Sequence, residues 1–194
     1  ERDIDTLTGL YNRRGLENQL EKLFARPEHL GYGAVIMIDA DGLKGINDKY
    51  GHDEGDVYIR KIGDLIKGFG VQKSLASRQG GDEFVLVLYD YSSEEEVQNT
   101  VESIKYIRDN SKAHLSNGRD IPLQFSFGYT IFQNRADYLE MMKEADEKMY
   151  EEKKTYMSIP SALALGISAI LIPVFGLLPG RTMNVLADMS QNFM

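Results

Sequence analysis

Apolar residues recur along the chain with two different periods, which together predict helices interspersed with strands. Apolar positions three or four residues apart predict amphipathic helices. The unbroken apolar run Ala34–Ile38 predicts a strand buried on both faces, whereas the alternation from Leu123 to Ile131 predicts a strand with one buried face. The predicted helices are residues 16 to about Phe24, Leu43–Tyr50, Asp56–Phe69, one that opens with the capping box Ser93–Glu96, and Arg135–Lys154. The remaining predicted strands are Leu75–Arg78 and Phe84–Leu88.

Gly80 and Gly81 separate two of these strands, which predicts a β-hairpin because glycine accepts positive φ at no steric cost. Asp82 and Glu83 follow at the mouth of the second strand. The two carboxylates would lie beside the glycine backbone, where no side chain intervenes. This arrangement suits a hard cation and an approaching phosphate. The alternative interpretation is a hairpin turn that happens to be acidic.

A further carboxylate, Asp39, comes directly after the predicted central strand. The C-terminal end of a central strand is a common place for a ligand or metal, although an Asp there can also cap the helix that follows. One turn into that helix, Lys44 is placed to point back at the strand end, where its ammonium group suits phosphate oxygens.

Asn47 and Asp56 form a candidate base-reading pair. A carboxylate can accept hydrogen bonds from both N1–H and the 2-amino group of guanine, and adenine has no such pair of donors. The alternative role for both is helix capping, with Asp56 opening the next helix. His52 is likewise either a ligand contact or a loop or capping residue.

Composition narrows the functional class. The 194 residues carry 30 acidic and 22 basic side chains, a net charge of −8, which argues against a nucleic-acid polymer as partner. There is no cysteine, so neither disulfides nor thiolate chemistry contributes. No signal peptide is visible, and because the chain starts at Glu1 we expect it to be a fragment of a longer protein.

Four blocks of sequence resemble the GGDEF family of diguanylate cyclases. The blocks are Asp-x-Leu-Thr-Gly-Leu-Tyr-Asn-Arg-Arg from Asp5, Asp-x-Asp-Gly-Leu-Lys-x-Ile-Asn-Asp-x-x-Gly-His-x-x-Gly-Asp over 39–56, Arg-x-Gly-Gly-Asp-Glu-Phe over 78–84, and Ala-Asp-x-x-Met-Tyr-x-x-Lys over 145–153. They occur in the family's order and predict a catalytic domain over residues 1–155. The resemblance implies an α/β (α+β) ferredoxin-like palm, with a mostly antiparallel sheet flanked by helices, that condenses two GTP into cyclic di-GMP.

The resemblance also implies a role for individual residues. Asp39, Asp82 and Glu83, with the Ala40 carbonyl, would hold two Mg²⁺ ions per GTP, with Mn²⁺ as a substitute, and Glu83 would help to deprotonate the 3′-hydroxyl. The implied substrate contacts are Lys44 and Lys153 to phosphate, Asn47 and Asp56 to guanine, and Leu43 and His52 beside them. Each domain would hold one GTP, so catalysis would need a homodimer, controlled by concentration or by an upstream sensory domain outside this sequence.

Two departures from the family pattern are visible. The Arg-x-x-Asp product-inhibition motif falls on Val71-Gln72-Lys73-Ser74, which has neither key residue. An Arg often found four residues after Lys153 falls on Met157. The first departure puts feedback inhibition in doubt, and the second predicts weaker GTP binding.

Residues 156–194 form an apolar extension that the resemblance does not cover. The stretch from Thr155 to Gly180 contains no charge, but Pro173 interrupts it and its apolar part is marginal for the roughly 20 residues that a bilayer span needs. Three interpretations stand: a membrane segment through 156–180, a scar of cloning or of a shifted reading frame, or a helix packed on the domain or a partner. With Lys153 and Lys154 on the near side, the first would leave a cytoplasmic catalytic domain attached to the inner membrane.

Two further functions compete with an active cyclase. One is a catalytically silent module that binds GTP or cyclic di-GMP and regulates a partner. The other is a different nucleotidyl cyclase on a related palm, which the guanine-reading pair disfavours. Silent relatives usually lose an acid from the Gly-Gly-Asp-Glu-Phe stretch, and all of its residues are present here.

Overall fold

The computed structural model describes residues 2–69 and 73–158, with side chains through residue 155. The chain divides into two compact units, Glu1–Glu152 and Lys153–Met194. The helices are α1 Arg13–Phe24, α2 Leu43–Tyr50, α3 His52–Gly68, α4 Glu94–Asn110 and α5 Tyr138–Ser158, with a short 3₁₀ turn at Pro27–His29. The strands are β1 Tyr32–Ala40, β2 Ser74–Gly80, β3 Glu83–Tyr91, β4 Lys112–His114, β5 Asp120–Pro122 and β6 Phe125–Gln133.

The main sheet has four strands in the order β2-β3-β1-β6, and every neighbouring pair is antiparallel. Helices α2 and α3 connect β1 to β2, and α4 precedes β6. This is the βαββαβ connectivity of ferredoxin-like folds. The predicted fold class is therefore confirmed.

Strand β1 lies inside the sheet and is buried on both faces, as its unbroken apolar run predicts. Val35 packs on one face with Leu16 and Leu20 of α1 and with Met141 of α5. The opposite face, which carries Ile36, is also fully buried. Because both faces exclude water, the ends of β1 are held rigidly, and residues placed there are well positioned.

The prediction that β6 has one buried face is wrong. Ser126, Gly128 and Thr130, the polar or small positions of the alternation, are all buried. Gly128 lies directly beneath α5, where a side-chain carbon would overlap backbone atoms of Ala145 and Met149. The small residues of β6 do not face water, and they allow α5 to pack close to the strand. Alternation along the sequence cannot reveal this.

The outer edge of β6 is closed by charged side chains. Arg108 of α4 donates to the Phe125 carbonyl at 2.9 Å, Glu152 accepts from the Phe127 amide, and Lys148 donates to the Tyr129 carbonyl at 2.9 Å. These contacts satisfy backbone groups that an edge strand would otherwise present to another chain.

Two helix predictions need correction, and one hairpin was not predicted. Helix α3 begins at His52, four residues before the predicted start at Asp56. Helix α5 begins at Tyr138 rather than Arg135. The hairpin of β4 and β5 lacks a clear periodic signal and was not predicted.

Among residues 2–69 and 73–158, no helix has the length and apolar character needed to cross a bilayer. The predicted membrane segment at 156–180 lies outside the described residues, except for the end of α5 at Ser158.

Candidate active site

Strands β2 and β3 form the predicted hairpin, with Gly80 paired to Glu83 and only Gly81 and Asp82 between them. Gly81 has φ +56°, the positive φ that type II′ hairpins require at their first loop residue. The two glycines therefore set the tight turn. Asp82 lies in its loop and Glu83 is the first residue of β3.

The sheet register brings the predicted acids to the same place. Asp39 on β1 lies directly opposite Glu83 on β3, and the Ala40 amide donates to the Asp82 carbonyl at 2.9 Å. Asp39 and Asp82 are half-buried, and Glu83 is exposed. Residues separated by more than 40 positions thus meet at one end of the two central strands.

The backbone register brings these acids together, but their side chains do not form a complete metal site. Within the part of the chain that the structure describes, no three His, Asp or Glu side chains are grouped closely enough to hold one metal ion. The expected convergence of three carboxylates is therefore seen in the backbone positions of Asp39, Asp82 and Glu83 and not in their side chains. Carboxylates with a main-chain carbonyl such as that of Ala40 are nevertheless the donor types that Mg²⁺ prefers, so these residues fit that ion.

The turn after β1 is fixed by residues that precede or begin β6. The Asp41 amide donates to the Gln124 carbonyl at 2.9 Å, and the Ser126 hydroxyl donates to the Asp41 carboxylate at 2.8 Å. Gly42, with φ +74°, is the residue that immediately precedes α2. Lys44, in the first turn of that helix, is exposed, which suits its predicted contact with phosphate.

Asn47 has a buried side-chain oxygen, Oδ1, that makes no hydrogen bond to the described residues, although buried polar groups are nearly always paired. The oxygen lies against Gly55 of α3, where a Cβ would overlap it and would also crowd Leu43. The missing side chain at Gly55 therefore lets Asn47 and Leu43 pack close to α3.

Asp56 follows Gly55 on α3 and is exposed. Because α3 begins at His52, Asp56 lies inside the helix and the capping interpretation of this residue is wrong. His52 is the first helical residue and is also exposed. Asp56 is thus free of a capping role, and it follows Gly55, the residue against which Asn47 packs.

Tyr58 ties α3 to the segment before β6, a contact that the sequence did not predict. Its hydroxyl donates to the Gln124 carbonyl at 2.9 Å and accepts from the Gln124 amide at 2.8 Å. Burial, with the nearby charge of Asp41, raises the pKa of Tyr58 to about 12 although the Gln124 hydrogen bond opposes the shift. The residue has the pattern of a core aromatic, so periodicity could not single it out.

Arg78 is a second functional residue that sequence reasoning assigned no role. Its Nε and Nη2 donate to the Gly81 carbonyl at 3.1 and 2.7 Å, and its Nη1 lies 3.3 Å from Asp5 Oδ2. Arg78 therefore braces the acidic hairpin against the N-terminal turn. Arg78 and Asp5 both belong to the sequence blocks quoted above, and this membership was the signal from which their contact could have been suspected.

Lys153, the other predicted phosphate contact, lies near the end of α5 in the unit Lys153–Met194. The side chain of Met157 and residues Val71 and Gln72 lie outside the described residues. The roles predicted for these four positions remain predictions.

A cleft of about 420 Å³ lies away from these residues, between α4, α5 and the edge of β6. Its lining includes Glu102, Lys105, Lys148 and Glu152, and none of the predicted site residues. Since Lys148 and Glu152 are already bonded to the β6 backbone, we assign the cleft to edge closure and not to nucleotide binding.

An antiparallel palm with acids at the end of its two central strands defines a domain of the nucleotidyl-cyclase type. The family model described as "Diguanylate cyclase, GGDEF domain" matches residues 2–158, so the chain belongs to the GGDEF family.

Known proteins agree with this assignment. The chain is 36% identical over 152 residues to diguanylate cyclase DosC of Escherichia coli K12, which covers 78% of this chain and 33% of DosC. It therefore spans about a third of the length of that relative. Among solved structures, the GGDEF domain of TpbB (YfiN) from Pseudomonas aeruginosa has a TM-score of 0.70 at 30% identity, covering 78% of this chain and 89% of that one. The GGDEF domain of DgcB from Caulobacter crescentus, solved with c-di-GMP, has a TM-score of 0.70 at 25% identity, covering 80% and 92%.

Proposed function

We propose that this chain is an active diguanylate cyclase, which condenses two GTP into cyclic di-GMP and two pyrophosphates in a Mg²⁺-dependent reaction between two facing domains. The observation that carries the proposal is the pairing of Asp39 with Glu83, beside Asp82 in the hairpin loop. This arrangement preserves every acid that the reaction requires.

The base and phosphates of GTP would be held by different elements. Asp56 would accept from N1–H and the 2-amino group of guanine, and Asn47, which packs against the adjacent Gly55, would be the neighbouring polar contact. Lys44, with Leu43 beside it, would approach the triphosphate from the first turn of α2, and Lys153 is the second proposed phosphate contact. His52 remains a proposed contact at the start of α3.

Bound Mg²⁺, held by Asp39, Asp82, Glu83 and the Ala40 carbonyl, would neutralise the triphosphate and acidify the attacking hydroxyl. Exposed Glu83 would accept the proton from the 3′-hydroxyl of the other GTP. The 3′-oxygen forms a bond to the α-phosphorus as the bond to the bridging oxygen breaks, and pyrophosphate leaves in line. A second such step closes the ring, which is why two domains must face each other.

The second candidate function is a silent module that binds GTP or cyclic di-GMP. The complete acid set favours the enzyme, because silent relatives usually lose an acid from the Gly-Gly-Asp-Glu-Phe stretch and all of its residues are present here. On the same proposal the domain works in the cytoplasm, under control of a sensory region elsewhere in a longer protein. Attachment to the inner membrane through 156–180 remains a prediction.

The test is incubation of the purified chain with GTP and Mg²⁺, with products identified by mass spectrometry. We expect cyclic di-GMP with two pyrophosphates per product, a rate per domain that rises with protein concentration, and no product when Mg²⁺ is chelated. GTP that binds but is recovered unchanged at high protein concentration would contradict the proposal and support the silent module.

A further inference from the structure

Tyr58 and Asp56 lie two residues apart on α3 and have opposite environments. Successive helical residues are 100° apart, so positions two apart point to widely different directions. Asp56 is exposed, whereas Tyr58 is only 1% exposed. The helix therefore presents the proposed base-reading carboxylate on one side and directs a phenol into the protein on the other.

The Tyr58 hydroxyl bonds to the backbone of Gln124, a residue that also contacts the turn after β1, and lies 3.4 Å from the Asp41 carbonyl in that turn. It donates to the Gln124 carbonyl at 2.9 Å and accepts from the Gln124 amide at 2.8 Å. The same carbonyl also accepts from the Asp41 amide at 2.9 Å. Asp41 comes two residues after Asp39 and one after Ala40, so the Gln124 backbone joins α3 to the turn that directly follows two proposed metal ligands.

Packing alone does not require a hydroxyl group on the aromatic ring at position 58. Burying a hydroxyl costs free energy unless its hydrogen bonds are made, and a phenylalanine would fill the same space without that cost. Here the hydroxyl makes two hydrogen bonds of good length to residue 124 and a longer one, 3.4 Å, to the Asp41 carbonyl. Its specific contribution is therefore the connection between segments.

We propose that Tyr58 is a positioning residue whose hydroxyl holds the guanine-reading part of α3 at a set distance from the acidic end of β1, so that one nucleotide engages both. The inference rests on the proposed function, since it takes GTP as the molecule that bridges the two. When two half-sites are held at the correct separation, binding of one end raises the effective concentration of the other. If the separation varies, each half-site keeps its own affinity and the bridging ligand loses the advantage of preorganisation.

This mechanism separates GTP from its fragments, and the experiment uses that difference. Binding of Mg²⁺-GTP, guanosine and Mg²⁺-inorganic triphosphate is measured by NMR titration of the full chain and its Tyr58→Phe variant. We expect the Kd for GTP to rise about tenfold in the variant. The Kd values for guanosine and for triphosphate should each change by less than about twofold, since neither fragment reaches both half-sites.

Ile62→Val is the matched control. Ile62 is fully buried on the same helix, one turn further along, and loses one methylene without affecting the hydroxyl. Its Kd for GTP should stay within about twofold of the wild-type value, while its melting temperature falls at least as far as that of Tyr58→Phe.

Several outcomes would overturn the inference. An unchanged GTP affinity in Tyr58→Phe would show that the connection does not matter for binding. Equal weakening of GTP and both fragments, or an equal effect in Ile62→Val, would reduce Tyr58 to a general structural residue. Failure of the wild-type chain to bind GTP at all would overturn the proposed function, and this inference with it.

Discussion

Arg78 contacts Asp5 and the Gly81 carbonyl at the same time, and so joins the N-terminal turn to the acidic hairpin. The Nη1 of Arg78 is 3.3 Å from Asp5 Oδ2, and its Nη2 is 2.7 Å from the Gly81 oxygen. Asp5 also accepts from the amide and hydroxyl of Thr8, at 2.9 and 2.7 Å. One carboxylate thus organises the turn and orients the guanidinium that supports the acidic hairpin.

Replacing Asp5 by Asn should lower the free energy of unfolding by about 1 kcal/mol at pH 7, because charge-assisted hydrogen bonds are lost. Burial raises the pKa of Asp5, but hydrogen bonds from Thr8 and the charge of Arg78 outweigh it, so the folded pKa lies below the ordinary 3.8. A lowered folded pKa stabilises the protein above the unfolded value and ceases to do so as the pH falls through the folded one. The difference between wild type and Asp5→Asn should therefore shrink as the pH drops below 3.8.

Urea unfolding of both proteins across this pH range is the measurement. Asp3→Asn is the control, since the Asp3 carboxylate lies in an exposed pair with Arg14 at 3.7 Å and its replacement should have a small effect throughout. A difference between Asp5→Asn and wild type that is independent of pH would contradict the ionic role of Asp5.

Asp39→Ala and Glu83→Ala should each abolish turnover while leaving the fold intact, because each removes a proposed metal ligand from the same end of the sheet. Asp39→Ala should also weaken binding of Mg²⁺-GTP. Initial rates of cyclic di-GMP formation and far-UV circular dichroism are the measurements. Glu95→Ala, at an exposed glutamate in the first turn of α4, is the control and should remain active.

A residual rate above about a tenth of wild type in either variant corresponds to a barrier increase below ~1.4 kcal/mol. That would be too small for a metal ligand and would remove the residue from the assignment.

Asp56→Ser should reduce the preference for GTP over ATP. The substitution removes the bidentate acceptor and leaves the donor edge of guanine unpaired, which is costly in a binding site. Rates with GTP and with ATP are compared for wild type, Asp56→Ser and Asp64→Ser, the last being an exposed aspartate two turns further along α3. An unchanged GTP-to-ATP ratio in Asp56→Ser would place base recognition at another residue.

Gly55→Ala should impair GTP binding without destabilising the fold. The added Cβ would overlap Asn47 Oδ1, the end of a flexible side chain that can move away, and alanine favours a helix over glycine by about 1 kcal/mol. We expect the KM for GTP to rise several-fold while the melting temperature holds or increases. Gly45→Ala in α2 is the control, because its Cβ would meet no atom within 4 Å.

Gly128→Ala provides the opposite case, since its Cβ would overlap the α5 backbone and should destabilise the protein strongly. If Gly55→Ala lowered stability in the same way, or left the KM unchanged, Asn47 would not be the residue that Gly55 accommodates for binding.

Product inhibition through the upstream site should be weak. That site needs an Arg that pairs with phosphate and an Asp that orients it, and here Val71 and Ser74 occupy those positions. Lys73, the cation within these four residues, forms an ion pair with Asp90 of β3. A flexible ammonium engaged in this way does not replace a guanidinium fork.

Progress curves should stay nearly linear until GTP is depleted, and micromolar cyclic di-GMP added at the start should have little effect. Asp90→Asn, which releases Lys73 from its pair, is a useful comparison. Strong non-competitive inhibition of the wild-type chain would reveal a product site elsewhere.

The sequence by itself determined the local structure and the chemical inventory. The apolar run of β1, the glycine pair of the hairpin and the helix Leu43–Tyr50 depend on local sterics and periodicity, so they could be located without a fold. The acids, with Asn47 and Asp56, were identifiable from the spacing of motif residues. Helix starts were less certain, as His52 shows, because no side chain among the described residues caps α3 and the cap signal of Asp56 pointed inside the helix.

The tertiary structure alone decided which distant residues meet. Asp39 faces Glu83 because antiparallel pairing sets the register, and a shift of one residue would have turned the two acids to opposite faces. The burial of Gly128 and the Tyr58–Gln124 contact likewise depend on where a helix lands on the sheet. Periodicity reports whether a residue faces the interior, but the partner it finds there depends on packing between segments that are far apart in the chain.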